Sequence, residues 1–288
     1  MEARRPESQW LPPAAYPAEP APAPAPPRPP QRTGWKRFAT PLFFGLVAVL
    51  KWGKALVLLL PKAKLLTTSA SMVVSVGAYA LIWGWKFAAG FVGLLFLHEM
   101  GHYIQLRREG VQPSGMLFIP FLGAAVGARS LGGSALAEAR VGLAGPILGT
   151  LATAALLPVI AASDDDFWRA LAFTGFFLNL FNLLPVVPLD GGRAMAAMSP
   201  WMWALGLFAV VLLAFAYPNP VILLIVLLAL METWRRWRAL RSGDATVRAY
   251  YRVRPLHRAV VAGVYLGLIA LLVLGMDATH VARTLDQV

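Results

Sequence analysis

From residue 65 onward the chain is a succession of apolar segments, each close to the length of a bilayer crossing. A helix rises about 1.5 Å per residue, so roughly 20 mostly apolar residues cross the hydrocarbon core. Segments 65–84, 87–106, 141–161, 168–184, 201–217, 219–233 and 258–276 read as spans on this criterion. Composition agrees: 58% of the 288 residues are hydrophobic, 14% are charged, and mean hydropathy is +0.62. A soluble domain carries roughly 25% charged residues, so an ordinary cytosolic domain is excluded. The turn Tyr217-Pro218-Asn219-Pro220 makes the spans on either side an antiparallel pair. The expected fold is an all-α polytopic membrane protein of about six to seven transmembrane helices. With no cysteine, thiolate metal sites and cysteine nucleophiles are excluded, so any metal must be held by histidine and carboxylate.

The N-terminal part is different. Eleven of the 23 prolines lie in residues 1–34, without an apolar period, and the stretch reads as a disordered, proline-rich cytoplasmic arm. Residues 41–60 are nearly apolar enough to span, but Lys51 and Lys54 would sit at mid-bilayer. Residues 35–64 are therefore expected to form an interfacial or broken helix.

Charge sets the orientation. There are 26 Lys and Arg against 14 Asp and Glu, a formal +12. If residues 1–64 are cytoplasmic, the spans place 23 of the 26 basic residues inside, leaving only Lys86, Arg169 and Arg283 outside. This obeys the positive-inside rule and argues against nucleic acid, which would need a basic face on a soluble domain. The expected location is the plasma membrane, as a multi-pass protein. Residues 234–257 mix Trp and Tyr with Arg and are expected to lie as a cytoplasmic segment against anionic lipid headgroups.

The second span ends FLHEMGHYIQLRR, in which His98, Glu99 and His102 form H-E-x-x-H. At 100° per residue, two histidines four apart share one face of a helix and can point at one ion. Glu99 lies about 60° from His102 around that helix, within reach of a water on the metal. Zinc brings such a water's pKa toward about 7, and a carboxylate can take its proton. A buried His, Glu and His on one intramembrane face would otherwise be costly to desolvate.

A catalytic zinc needs a third protein ligand. Asp164, Asp165 and Asp166 fall outside, a bilayer away from His102. Glu109 is at the inner water surface, Glu232 and Asp244 sit in or beside the basic segment, and Asp277 and Asp286 are in the outer tail. Glu138 and Asp190 remain. The fourth span is about 25 Å long by Leu184 if it starts at Trp168, and His102 lies about 7 Å from the same inner boundary. Asp190 follows two helix-stopping prolines, Pro185 and Pro188, and precedes Gly191-Gly192, which would let the backbone turn. Its depth matches that of His102 to about one helical turn, so Asp190 is the expected third ligand. An N-cap for residues 192–199 is the competing, compatible role.

HEMGH in one span, with NLLPVVPLDGGR downstream, resembles the site-2 protease family of intramembrane zinc metalloproteases. The resemblance runs from about residue 65 to 200, roughly half the chain, as an intramembrane metalloprotease core. Outside it lie a helical hairpin over 201–233, the basic segment 234–257, and a last span and tail over 258–288. The resemblance implies one zinc ion held by His98, His102 and Asp190, Glu99 as general base, and a site reached from the cytoplasmic side. Ala144-Gly145-Pro146 resembles the family's Gly-Pro element; many members carry Asn three residues after that proline, where this chain has Gly149. Asn182 matches the Asn of the second motif and could donate to a developing oxyanion or bond free backbone at its helix end. The apolar stretch from Met116 to Gly127 is broken by Pro120 and Gly123, and reads as a re-entrant or β-hairpin segment near the active site. Its edge could pair with an unwound substrate. The implied partner is a transmembrane protein or peptide substrate. The rival function is non-proteolytic divalent-metal binding or transport, which does not need Glu99.

Overall fold

The computed structural model describes residues 63–128, 130–199 and 201–280, all within the compact unit Leu56–Val288. The expected arm over 1–34, all but the last two residues of the expected interfacial segment 35–64, and the tail beyond 280 lie outside them. The elements run α1 (Ala63–Trp83), α2 (Trp85–Arg108), β1 (Met116–Ile119), β2 (Gly123–Val126), α3 (Ala135–Ala154) and α4 (Leu157–Ala161). They continue as α5 (Asp166–Asn182), α6 (Asp190–Met198), α7 (Trp201–Ala216), α8 (Pro220–Arg241), α9 (Ala245–Tyr250) and α10 (Pro255–Thr279). Four stretches are long and apolar enough to cross a membrane: Leu65–Trp83, Trp85–Arg108, Ala135–Ala161 and Pro255–Thr279. This is a multi-pass helical membrane protein with one small sheet among its described residues.

Local chemistry sets the boundaries. Ser134, Asp165 and Asn219 cap α3, α5 and α8 by accepting from Ala137, Phe167 and Val221 backbone N–H groups. Asn219-Pro220 ends the α7–α8 turn, and the two helices pack on each other. α8 runs without a break from its apolar first half into Trp234-Arg235-Arg236-Trp237-Arg238, so span and basic residues share one helix.

α2 is the central element, packed against α1, α3 and α5. α3 also touches α6 and α10, and α10 lies along α5. One apolar core joins α3, α5, α6 and α10 around Phe176, Leu183, Met195, Trp203 and Leu272. A second joins α1, α2 and the hairpin around Tyr79, Phe91, Leu95 and Phe118.

The hairpin is antiparallel, Met116 facing Val126 and Ile119 facing Gly123. Side chains of α1 occupy the outer edge of β1. Thr68 Oγ1 donates to Met116 O (2.9 Å), and Ser71 Oγ accepts from Phe118 N (3.2 Å). At the turn, Phe121 has φ 64° and its N–H donates to Tyr79 Oη (3.0 Å). The hydroxyls thus satisfy backbone groups that an edge strand would leave open. By alternation, Ala124 and Val126 present the backbone groups of the opposite edge, on β2.

Candidate metal centre

One buried face of α2 carries His98, Glu99 and His102, each at most 5% exposed. After α5 ends at Asn182, residues 183–189 form an irregular loop, and α6 begins at Asp190 with Leu189 in the cap position. Asp190 is therefore a first-turn residue rather than the cap. Gly191 and Gly192 do not make the expected turn; they lie inside α6. A Cβ at either would fall on the backbone of Leu183–Val187, so they allow α6 to press against that loop.

This packing brings three donors together. Asp190 Oδ2 lies 3.0 Å from His98 Nε2 and 3.1 Å from His102 Nε2, and the two Nε2 atoms are 3.2 Å apart. The other ring nitrogens decide the tautomers. His102 Nδ1 donates to Val141 O (2.7 Å), and His98 Nδ1 donates to Asn179 Oδ1 (2.8 Å). With a proton on each Nδ1, both Nε2 atoms carry lone pairs. Two imidazole lone pairs and a carboxylate oxygen therefore face one another. A single proton can bridge only two of them, whereas a cation between them satisfies all three. In a tetrahedral zinc site with ligands at about 2.0–2.1 Å, donors are separated by about 3.3–3.4 Å. The observed spacing is within a few tenths of an ångström of that, so the residues fit a zinc ion.

Glu99 stands beside this triad. A carboxylate oxygen of Glu99 and one ring nitrogen from each histidine lie within 4.8 Å of one another. Among the described residues Glu99 makes no hydrogen bond or ion pair, although it is only 5% exposed. Asp190 is committed on both sides, since its Oδ1 faces Arg193 at 3.9 Å.

Residues 159–205, which include Asn179, Asn182 and Asp190, match the profile of Peptidase family M50. The chain is 32% identical over 123 residues to the zinc metalloprotease MJ0392 of Methanocaldococcus jannaschii, covering 41% of this chain and 35% of that protein. It is 33% identical over 146 residues to the putative zinc metalloprotease Rip3 of Mycobacterium tuberculosis, covering 45% of this chain and 35% of that one. The chain is thus similar to Peptidase family M50 over residues 159–205 and to zinc metalloproteases over 41–45% of its length.

The aligned part of this chain spans about a third (35%) of the length of each of these relatives. A solved site-2 protease from Methanocaldococcus jannaschii aligns over 64% of this chain and 87% of its own, at 21% identity and a TM-score of 0.37. Zinc is the metal that the names of these relatives carry.

The other candidate residues take distinct places. Asn182 Nδ2 donates to Leu178 O (3.1 Å), a bond along its own helix. Glu138 is buried and paired: Arg236 reaches both its oxygens (2.5 and 3.2 Å), and Tyr250 Oη donates to it (2.7 Å). Glu109 takes a bond from Gln105, Glu232 pairs with Arg235 and Arg236, and Asp244 caps α9.

Sequence reasoning missed the residues that brace the triad. Asn179 is fully buried against His98, and an amide in the middle of LAFTGFFLNLFN was a signal, because polar groups inside spans are expensive. Trp203 Nε1 donates to Gly192 O (2.8 Å) and lies under the Arg236 guanidinium (4.9 Å). Tyr265 Oη donates to Leu183 O (2.5 Å). Neither has a local motif, since each acts through a backbone carbonyl distant in sequence. Gly145 holds room for the site, as a Cβ there would fall on the His102 ring.

Proposed function

We propose that this chain is an intramembrane zinc metalloprotease that hydrolyses peptide bonds within or beside the transmembrane segments of substrate proteins. The observation that carries the reading is Glu99: a buried carboxylate without a partner among the described residues, beside a triad that fits zinc. A carboxylate beside such a triad that makes no hydrogen bond among the described residues is available to act as a base.

His98, His102 and Asp190 would hold the metal. When bound, zinc acidifies water and polarises the scissile carbonyl. Glu99 takes a proton from the attacking water on its uncommitted carboxylate oxygen, then delivers it to the departing amine nitrogen. Asn182 gives only one amide proton to Leu178 O, and its second Nδ2 proton is the proposed donor to the developing oxyanion. An unwound substrate segment adds beside the outer edge of β2, because α1 already fills the edge of β1. Seven helices, α1, α2, α3, α5, α7, α8 and α10, form the proposed membrane set, with 65–200 as the protease core and 201–233 as a hairpin outside it. The proposed setting is the plasma membrane with the site toward the cytoplasm, supported by 23 basic residues on that side. At the end of α8, Arg238 and Arg241 lie over the Trp234 and Trp237 rings at 5.6 Å, an arrangement suited to a layer of anionic headgroups.

The proximity of Glu99 to both histidines also favours a second reading, in which it is a fourth ligand of a binding or transport site. A Glu99→Gln variant separates the two. Proteolysis requires that it retain one zinc per chain and lose cleavage, measured by metal analysis and by proteomics of membrane-fraction fragments against the parent chain. Cleavage that persists in Glu99→Gln rejects the protease mechanism; loss of zinc favours the fourth-ligand reading.

A further inference from the structure

We propose that Asn179 is the positioning residue that fixes His98 as a ligand, and that Gly149 exists to leave it room. The proposal rests on the metal-centre reading of the triad. Asn179 lies on α5, 1% exposed, in an apolar helix where an unsatisfied amide would be costly. Both of its ends are used. Nδ2 donates to Gly175 O one turn back (2.8 Å), and Oδ1 accepts from His98 Nδ1 (2.8 Å).

The first bond orients the second. Rotating the amide by 180° would set Oδ1 against the Gly175 carbonyl, two acceptors in contact, so the amide has one satisfied orientation. In that orientation it presents only an acceptor to the imidazole. His98 must then carry its proton on Nδ1 and aim the Nε2 lone pair at Asp190 and His102. The partner on the far nitrogen sets both tautomer and ring plane of a ligating histidine.

The two histidines differ in how this is achieved. His102 is held by the main-chain carbonyl of Val141, which no side-chain substitution removes. His98 is held by a side chain and is therefore the adjustable ligand. Space for that side chain comes from α3, where a Cβ at Gly149 would fall on Asn179 Oδ1. Next to it, Thr153 Oγ1 donates back to Gly149 O (2.8 Å), so this face of α3 has no donor competing for Asn179. Three helices thus meet at one amide: α2 supplies the ring, α5 the amide and α3 the gap.

The test uses the full chain in lipid nanodiscs, stripped of metal and then titrated with zinc against a chromophoric chelator, or loaded with cobalt(II) for visible absorption. Asn179→Leu, of nearly the same shape, should lose about 10–100-fold in zinc affinity and shift the cobalt bands. Asn179→Asp keeps an acceptor for His98 but sets its second oxygen against the Gly175 carbonyl, and should lie between Leu and the parent in both readouts. If Asn179 served only the α5 backbone, Asp would fail as badly as Leu, and that result overturns the proposal. Gly149→Ala should reproduce the Leu phenotype, and combining the two should add little, because both break one contact. It also keeps the proposal testable should Asn179→Leu not fold. Parent-like affinity and cobalt bands in Asn179→Leu, or in Gly149→Ala in its place, overturn the positioning role while leaving the metal centre standing. A parent chain that binds no zinc overturns the metal centre and this proposal with it.

Discussion

Replacing Arg236 by Met tests the brace that joins the C-terminal helices to the metal-bearing core. The Arg236 side chain is 11% exposed and that of Glu138 is 2% exposed. The pair is bidentate, and Arg236 also donates to Glu232 (2.8 Å) while covering Trp203. Methionine fills much of the same volume without charge, so the main effect is a buried carboxylate deprived of its cation. Removing one partner of a buried pair costs about 3–5 kcal/mol. The lower end applies here, because Tyr250 still donates to Glu138; burial, and then the carboxylate itself, hold that hydroxyl above its usual range, so it stays protonated. Glu232 retains Arg235. The expected loss for Arg236→Met is therefore about 3 kcal/mol, read from reversible unfolding of the full chain in mixed micelles titrated with a denaturing detergent. Adding Glu138→Gln to the same chain removes the orphaned charge and should recover about 1–2 kcal/mol of it. If Arg236→Met unfolds within about 0.5 kcal/mol of the parent, or Glu138→Gln makes it worse, the pair is not the buried electrostatic contact described.

Two further outcomes are expected. Gly145→Ala should favour α3 by up to about 1 kcal/mol on helix propensity alone, yet its methyl would fall on His102; zinc content well below one per chain, with the helix content kept, is the expected result. Full zinc occupancy there would refute the close approach. Metal removal should destabilise the chain, since a ligand at 100 times its Kd contributes about 2.7 kcal/mol; equal unfolding midpoints with chelator and with zinc would refute a structural contribution from the triad.

The helices were legible because apolar segments of bilayer length have few alternatives, and Pro185, Pro188 and Asn219-Pro220 punctuate them. The triad was legible for two reasons. Helical spacing puts His98 and His102 on one face, and few carboxylates in this chain lie at the right depth. The Gly191-Gly192 pair was misjudged because glycine signals both a free backbone and a close approach, and only the three-dimensional neighbours distinguish these. Asn182 drew attention through its motif while Asn179, one turn earlier, makes the bond to His98. Trp203, Arg236 and Tyr265 could not be found from the sequence, as their partners are a carbonyl, a carboxylate and another carbonyl separated by many residues.

The brace also imposes an order on synthesis. A ribosome that has delivered residue 190 has delivered all three donors, but Trp203, Arg236, Tyr250 and Tyr265 are still to come. At 5–20 residues per second, the interval from Asp190 to Tyr265 is about 4–15 s. During that time the chain holds the donors without the contacts that press the α6 loop onto α2. A chain interrupted before α10 therefore carries the three donors without the Tyr265 hydroxyl that holds Leu183 O, in the loop leading to Asp190.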